Sequence, residues 1–244
     1  MKSVIVGATA GVGRALSVVL AKKGHSLLLV GRDTRDLNAS ASSLKLCYDV
    51  EVQILTADAL DPSSFTQLLS DAATSFGEIN YLFLPIGGAI GQDTGVLQLE
   101  EMISLLNSNL LSVISAVQIF SRFQSIDGPA GIVGFSSIAA IRGRGENIVY
   151  AAAKRALESY FESLKYVFID SNTSVHLYRL GYVNTQQSYG KKLALPKISP
   201  DRVARHVVGI LSKTSSFTYY PRYWRLVALL LRSLPLSLFK RIAK

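Results

Sequence analysis

The sequence predicts an α/β chain: a single-domain, doubly wound parallel sheet of about seven strands with helices on both faces. Three observations carry that prediction. Strand-like and helix-like runs alternate along most of the 244 residues. The first strand meets a glycine-rich turn and then a helical pattern, the order of a phosphate-binding βα unit. No repeat or low-complexity linker interrupts the pattern, and a chain of this length buries a full core as one domain. That domain is expected over 1–222, with 223–244 as a basic, leucine-rich extension of it.

Strands are predicted near 2–6, 25–31, 51–56, 80–84, 131–136, 174–180 and 217–220, and helices over 11–23, 34–46, 62–76, 99–122, 148–169 and 200–212. The first strand is followed by Gly7-Ala8-Thr9-Ala10-Gly11-Val12-Gly13 and an apolar helical pattern through Leu20. Glycines there let a backbone approach a pyrophosphate, and the helix amino terminus offers unpaired N–H groups. The spacing G-x-x-x-G-x-G differs from the common G-x-G-x-x-G, and a tight turn needing only small residues would look the same. Gly24 punctuates the first helix, while Asp61 with Pro62 and Ser199 with Pro200 open later ones. The apolar run Gly131–Phe135 reads as a buried strand ending in Ser136 and Ser137, where open α/β sheets bind ligands.

Tyr150 and Lys154 stand four apart, so a helix presents both on one face. A neighbouring ammonium favours the phenolate and lowers a pKa that is ordinarily about 10. The phenol then becomes a proton donor or acceptor near neutral pH. Alone, the pair also fits an exposed helical face.

The three glycines, Ser137 at 13 residues before Tyr150, and Tyr-x-x-x-Lys together resemble the short-chain dehydrogenase/reductase family, from Lys2 to about Thr185. The resemblance implies a Rossmann fold and an NAD(P)-dependent oxidoreductase acting on CH–OH or C=O groups, here in the direction of ketone reduction. It implies that Ser137 bonds the substrate carbonyl and Tyr150 passes the proton. Lys154 would hold the nicotinamide ribose and lower the tyrosine pKa. Asn109 would shape the active-site helix and a proton relay, with Asn107 as its rival; Ser136 rivals Ser137, which the 13-residue offset favours. Gly7, Thr9, Gly11, Val12 and Gly13 would cradle the cofactor, Asp58 would lie near the adenine, Gly87 would contact the cofactor, and Thr185 would meet the carboxamide or the phosphates. The chemistry is coherent without the name. Ketone reduction needs a hydride on carbon and a proton on oxygen, and two hydroxyls polarise the carbonyl while a cofactor carries the hydride. A homodimer or homotetramer is also implied, with helices 99–122 and 148–169 available to pair.

The second strand ends in Gly31-Arg32-Asp33. An acid at that point favours NAD and an arginine accommodates the 2′-phosphate of NADP. Arg32 therefore predicts NADP(H) over NAD(H), with Asp33 read as a helix N-cap. Two departures stand out. Leu84-Pro85-Ile86-Gly87 replaces the family's Asn-Asn-Ala-Gly, and Leu180-Gly181 replaces Pro-Gly. They leave open a second reading, a catalytically silent NADP(H)-binding sensor or scaffold.

Composition narrows the remaining classes. One cysteine, Cys47, permits no internal disulfide and reads as a small buried apolar residue. No metal-ligand spacing, secretory leader or nucleic-acid motif is visible, so the expectation is a cytoplasmic enzyme of a small-molecule substrate, without metal or nucleic acid. Lys and Arg number 26 against 17 Asp and Glu, a formal charge of +9, which attracts anionic lipid or substrate. Arg225, Arg232 and Pro235 break the leucine-rich tail, so no uninterrupted apolar run there is long enough for a simple span. Residues 223–244 fit a segment lying peripherally in a membrane interface and equally a terminal helix packed on the substrate pocket or a partner subunit. They also resemble the ends of family members that reduce keto-sugar intermediates on lipid carriers. Residues 182–199 are the expected substrate lid, in which Lys191 and Lys192 meet a phosphate or are merely solvated.

Overall fold

The computed structural model describes residues 1–89, 93–94, 96–190, 195–211 and 214–240. Its strands are β1 (Lys2–Val6), β2 (Ser26–Gly31), β3 (Val52–Thr56), β4 (Tyr81–Leu84), β5 (Ala130–Ser137), β6 (Thr173–Leu180) and β7 (Ser216–Tyr220). They form one parallel sheet in the order β3-β2-β1-β4-β5-β6-β7. The order reverses between β1 and β4, and that switch opens a crevice at the carboxyl ends of the strands.

The helices α1 (Gly11–Ala21), α2 (Thr34–Tyr48) and α7 (Pro200–Val208) cover one face. The other face carries α3 (Pro62–Phe76), α5 (Ser112–Phe123) and α6 (Ile148–Val167). Strand alternation sorts the core: Ile5, Leu27 and Leu29 point to the first layer, Val4, Val6, Leu28 and Val30 to the second. α4 (Leu99–Leu106) precedes α5, and α8 (Trp224–Ser233) and α9 (Leu236–Phe239) follow β7.

Local punctuation follows the sequence. Gly24 turns at φ +77°, Asp61 accepts from Ser64 N at 3.2 Å, and Ser199 accepts from Arg202 N at 3.3 Å. Asp33 accepts from Asp36 N at 3.0 Å and so caps α2.

Two expectations are corrected. Cys47 is exposed on α2, because Leu37, Ala41 and Leu44 are the buried residues of that helix. The helix predicted over 99–122 is not continuous: a π turn, Asn107–Leu111, separates α4 from α5, with Ser112 N reaching back to Asn107 O. The Asn109 side-chain amide donates to the Leu105 carbonyl at 2.9 Å, so a side chain has inserted into the helical ladder. The whole run Leu99–Phe123 is apolar enough to cross a membrane by composition, yet Leu105, Val113, Ala116, Val117 and Phe120 are buried in the fold.

Candidate active site

The amino-terminal half of the crevice is made of backbone. Gly7 and Gly11 adopt φ of +93° and +49°, conformations that disfavour a side chain. A Cβ on Gly13 would overlap the Gly7 carbonyl oxygen, and one on Gly11 would come within 2.9 Å of the Thr185 methyl. Thr185 therefore faces the glycine turn across the crevice. Ala10 gives α1 no side-chain cap, and its first turn holds no acid. The N–H groups beside Val12 and Gly13 are thus left for an anion. Thr9 packs its methyl against Gly31, where a Cβ would lie 2.7 Å from it.

Arg32 follows β2 and is exposed, free of the capping role that Asp33 has taken. Asp58 accepts from Leu60 N at 3.0 Å and organises the turn after β3. Arg14 was not singled out by sequence; it pairs with Asp36 at 3.3 Å and donates to the Thr9 carbonyl. An arginine directly after the third glycine was the available signal.

The other half is made of side chains from α6, β5 and the π turn. Gly87, at φ +128°, marks their meeting point: a Cβ there would overlap Asn109 Oδ1 and lie 2.9 Å from Lys154 Nζ. Asn109 is completely buried, and its Nδ2 donates to Gly88 O and Leu105 O, each at 2.9 Å. Its Oδ1 is buried without a partner. Asn107 instead donates to Leu60 O at 2.8 Å, which separates the two rivals. Ser136 is likewise committed, donating to Glu158 Oε1 at 2.8 Å. Ser137 shares a side-chain hydrogen bond with Tyr150 and accepts from Ala139 N at 3.1 Å.

Lys154 is buried, and donates to Phe135 O at 3.1 Å and Ile86 O at 3.4 Å. Burial lowers its pKa to about 8. Its Nζ stands 5.9 Å from the Tyr150 ring centroid. The expected depression of the Tyr150 pKa is corrected here: burial raises it above its ordinary value, only partly offset by the Ser137 hydrogen bond. The ammonium points to carbonyls rather than to the phenol.

Two positioning contacts escaped the sequence reading. Asp93, only 2 % exposed, accepts from Val149 N at 3.1 Å and Tyr150 N at 2.9 Å. It caps α6 from the loop after β4, because Asn147 sits at φ 56° with no capping side chain. A lone acid in a loop gives no spacing signal, so the contact was invisible. Glu158, one turn beyond Lys154, takes a two-point ion pair from Arg179 on β6 at 2.8 and 2.9 Å, fixing α6 against the sheet.

The carboxyl segment closes the crevice. A Cβ on Gly181 would overlap the Trp224 indole, and Trp224 meets Tyr182 edge-on at 5.2 Å between centroids. Arg142, after β5, donates to Leu231 O at 2.7 Å and Leu234 O at 2.6 Å and lies 4.0 Å over the Phe239 ring. A cavity of about 340 Å³ beside it is lined by Ala139, Arg144, Ile148 and Arg155 but not by Ser137 or Tyr150, so it is separate from the cluster. Lys191 and Lys192 lie outside the described residues.

Comparison with known proteins agrees with the fold. The family model for short chain dehydrogenase matches residues 2–193. Carbonyl reductase family member 4 of Danio rerio is 27 % identical over 190 residues, covering 77 % of this chain and 78 % of its own. A short chain dehydrogenase/reductase from Burkholderia phymatum in complex with NAD superposes with a TM-score of 0.84 at 20 % identity, covering 95 % of this chain and 92 % of that one. A short chain dehydrogenase from Burkholderia cenocepacia in complex with NADP gives 0.81 at 21 % identity, with 90 % and 96 % covered.

Proposed function

The chain belongs to the short-chain dehydrogenase family, NAD(P)-dependent oxidoreductases of CH–OH and C=O groups, and on that premise we propose an NADPH-dependent reductase of a hydrophobic or lipid-linked ketone. The observation that carries this reading is the convergence of Asn109 and Lys154 beside Gly87, with the Tyr150 ring 5.9 Å from Lys154 Nζ and paired with Ser137. The residues fit a nicotinamide dinucleotide: the glycine turn leaves space that a Cβ would fill, and the start of α1 has no side-chain cap. Gly7, Gly11, Gly13 and Thr185 would hold the phosphates, Arg32 the 2′-phosphate, and Lys154 the ribose near the ring. The bound nicotinamide supplies the hydride.

The chain's own residues handle the oxygen. Tyr150, with its pKa raised, stays protonated at neutral pH and enters as the acid. Ser137 turns its hydroxyl hydrogen to the carbonyl oxygen and fixes it against the phenol. Lys154 has three donors, two of them taken by Phe135 O and Ile86 O, which leaves one for a ribose hydroxyl. The unpaired Asn109 Oδ1 is an acceptor for a relay water that refills the proton on Tyr150. A homodimer or homotetramer is proposed too, supported by Leu99, Ile103, Leu106 and Leu111 exposed along α4 and the π turn; light scattering reads its mass.

The test is NADPH oxidation against a panel of ketones. Tyr150→Phe is expected to lower turnover by roughly 10²–10⁴-fold while NADPH affinity stays nearly unchanged. Arg32→Ala is expected to weaken NADPH roughly tenfold in a fluorescence titration and leave NADH alone. Full turnover in the phenylalanine variant would overturn the mechanism. Tight cofactor binding with no turnover on any ketone would favour the silent sensor.

A further inference from the structure

The carboxyl segment docks inward by a few residues and turns its larger apolar side outward. On α8, Trp224 and Ala228 are buried. Leu226, Leu229 and Leu230 are 71 %, 66 % and 60 % exposed, and their spacing puts them in one stripe. Leu236 and Leu238 continue the apolar surface on α9, whose Phe239 is anchored under Arg142. Arg222, Arg225, Arg232 and Lys240 are exposed around these leucines.

Charge is segregated along the sequence toward the same end of the chain. Residues 1–201 hold 17 Lys and Arg and all 17 Asp and Glu, and so are formally neutral. Residues 202–244 hold the other nine basic residues and no acid, so the whole +9 belongs to the last 43 residues. We propose that the outer face of α8 and α9 docks this protein on an anionic lipid surface. Leucines enter the headgroup boundary, and the arginines meet lipid phosphates around them. A second copy of the chain is the other occupant of an apolar face. It would set the exposed arginines of two copies against each other, and like charges oppose that contact. The docking face is also rigidly tied to the crevice. Trp224 sits on Gly181 at the end of β6, and Arg142 holds the last carbonyls of α8. Docking therefore holds the end of β6, and with it the carboxyl side of the crevice, next to the bilayer, the source of an amphiphilic substrate.

The proposal is independent of the reaction and is tested without cofactor. The full chain is floated with phosphatidylcholine vesicles, with and without phosphatidylglycerol, at low and high salt. Binding is expected only with the anionic lipid, and it should weaken as salt rises. Replacing Leu226, Leu229 and Leu230 together by Gln should abolish flotation. Each of Arg222→Gln, Arg225→Gln and Arg232→Gln should lower partitioning roughly fivefold. Unchanged thermal melts and far-UV circular dichroism in these variants establish that they fold. Failure of the native chain to float with anionic vesicles overturns the proposal, as does flotation that survives the leucine replacement. A leucine variant that instead lowers the mass in solution, with no vesicle binding by the parent, assigns the face to a second copy.

Discussion

The two halves of the crevice are built from different materials. The glycine turn after β1 offers backbone N–H groups and empty space, whereas the half around Gly87 offers a hydroxyl, a phenol, an ammonium and a carboxamide. A backbone cradle is specified by what side chains leave out, so its neighbours can vary. A side-chain site needs each group and each support. The difference accounts for the sequence Leu84-Pro85-Ile86-Gly87. Lys154 bonds the Ile86 carbonyl, which any residue there would supply, and Gly87 leaves the space that Asn109 and Lys154 occupy. Losing two asparagine side chains leaves those contacts intact.

The largest expected break falls on the backbone half. Gly13→Val would drive a side chain into the Gly7 carbonyl, destabilising the fold by about 1–3 kcal/mol and removing cofactor binding. Thermal melts and NADPH titration read the two effects separately. A variant that melts lower but binds normally would show that the close approach serves packing alone.

On the side-chain half, Asp93→Ala should do something different. It unties two N–H groups at the start of α6 and costs about 1–2 kcal/mol, as lost caps do. Because Tyr150 stands in that first turn, kcat should fall about tenfold or more while NADPH affinity holds. Asp93→Asn keeps one acceptor and should recover part of kcat. Equal losses in kcat and cofactor affinity would mean that Asp93 only stabilises the fold.

The smallest effect is a pH dependence. Lys154 has a folded pKa of about 8, below the ordinary 10.5. The unfolded chain therefore binds more protons between those values, and stability rises with pH from about 8 upward. Near 10 the buried tyrosines begin to oppose it, since Tyr81, Tyr150, Tyr160 and Tyr178 all have raised pKa values. Lys154→Met should flatten the rise between about 8 and 10 in thermal melts. An unchanged slope would place the titration elsewhere.

Much of this was legible from residues close in sequence. The seven strands, the N-caps Asp61 and Ser199, and the glycine turn depend on local pattern, and each appears in the structure. Pairing Ser137 with Tyr150 rested on a fixed offset between the end of β5 and α6, and the two side chains meet. The failures share a cause. Proximity of Tyr150 and Lys154 on one helical face did not say what each side chain bonds, and carbonyls from β5 and the Pro85–Gly87 stretch claimed the ammonium. Asp93 acts across 57 residues, and Arg142 reaches 89 and 92 residues to the end of α8. Contacts at such separations have no period to read. Cys47 was misread because cysteine favours burial on average, while its position in the last turn of α2 falls at the flank of the Leu37–Ala41–Leu44 stripe, where it is exposed.

The wide turn between α4 and α5 limits how this chain can lengthen or shorten. An α-helix advances 100° per residue, so one residue gained or lost there re-phases everything beyond it. Removing Ser108 would restore an unbroken ladder but swing Asn109 off Gly88 or turn Val113, Val117 and Phe120 away from the sheet. Insertions before Leu99 carry no such penalty. Between Leu105 and Val113 the chain is locked in length as firmly as in sequence, and a family-wide gap there would signal a different active site.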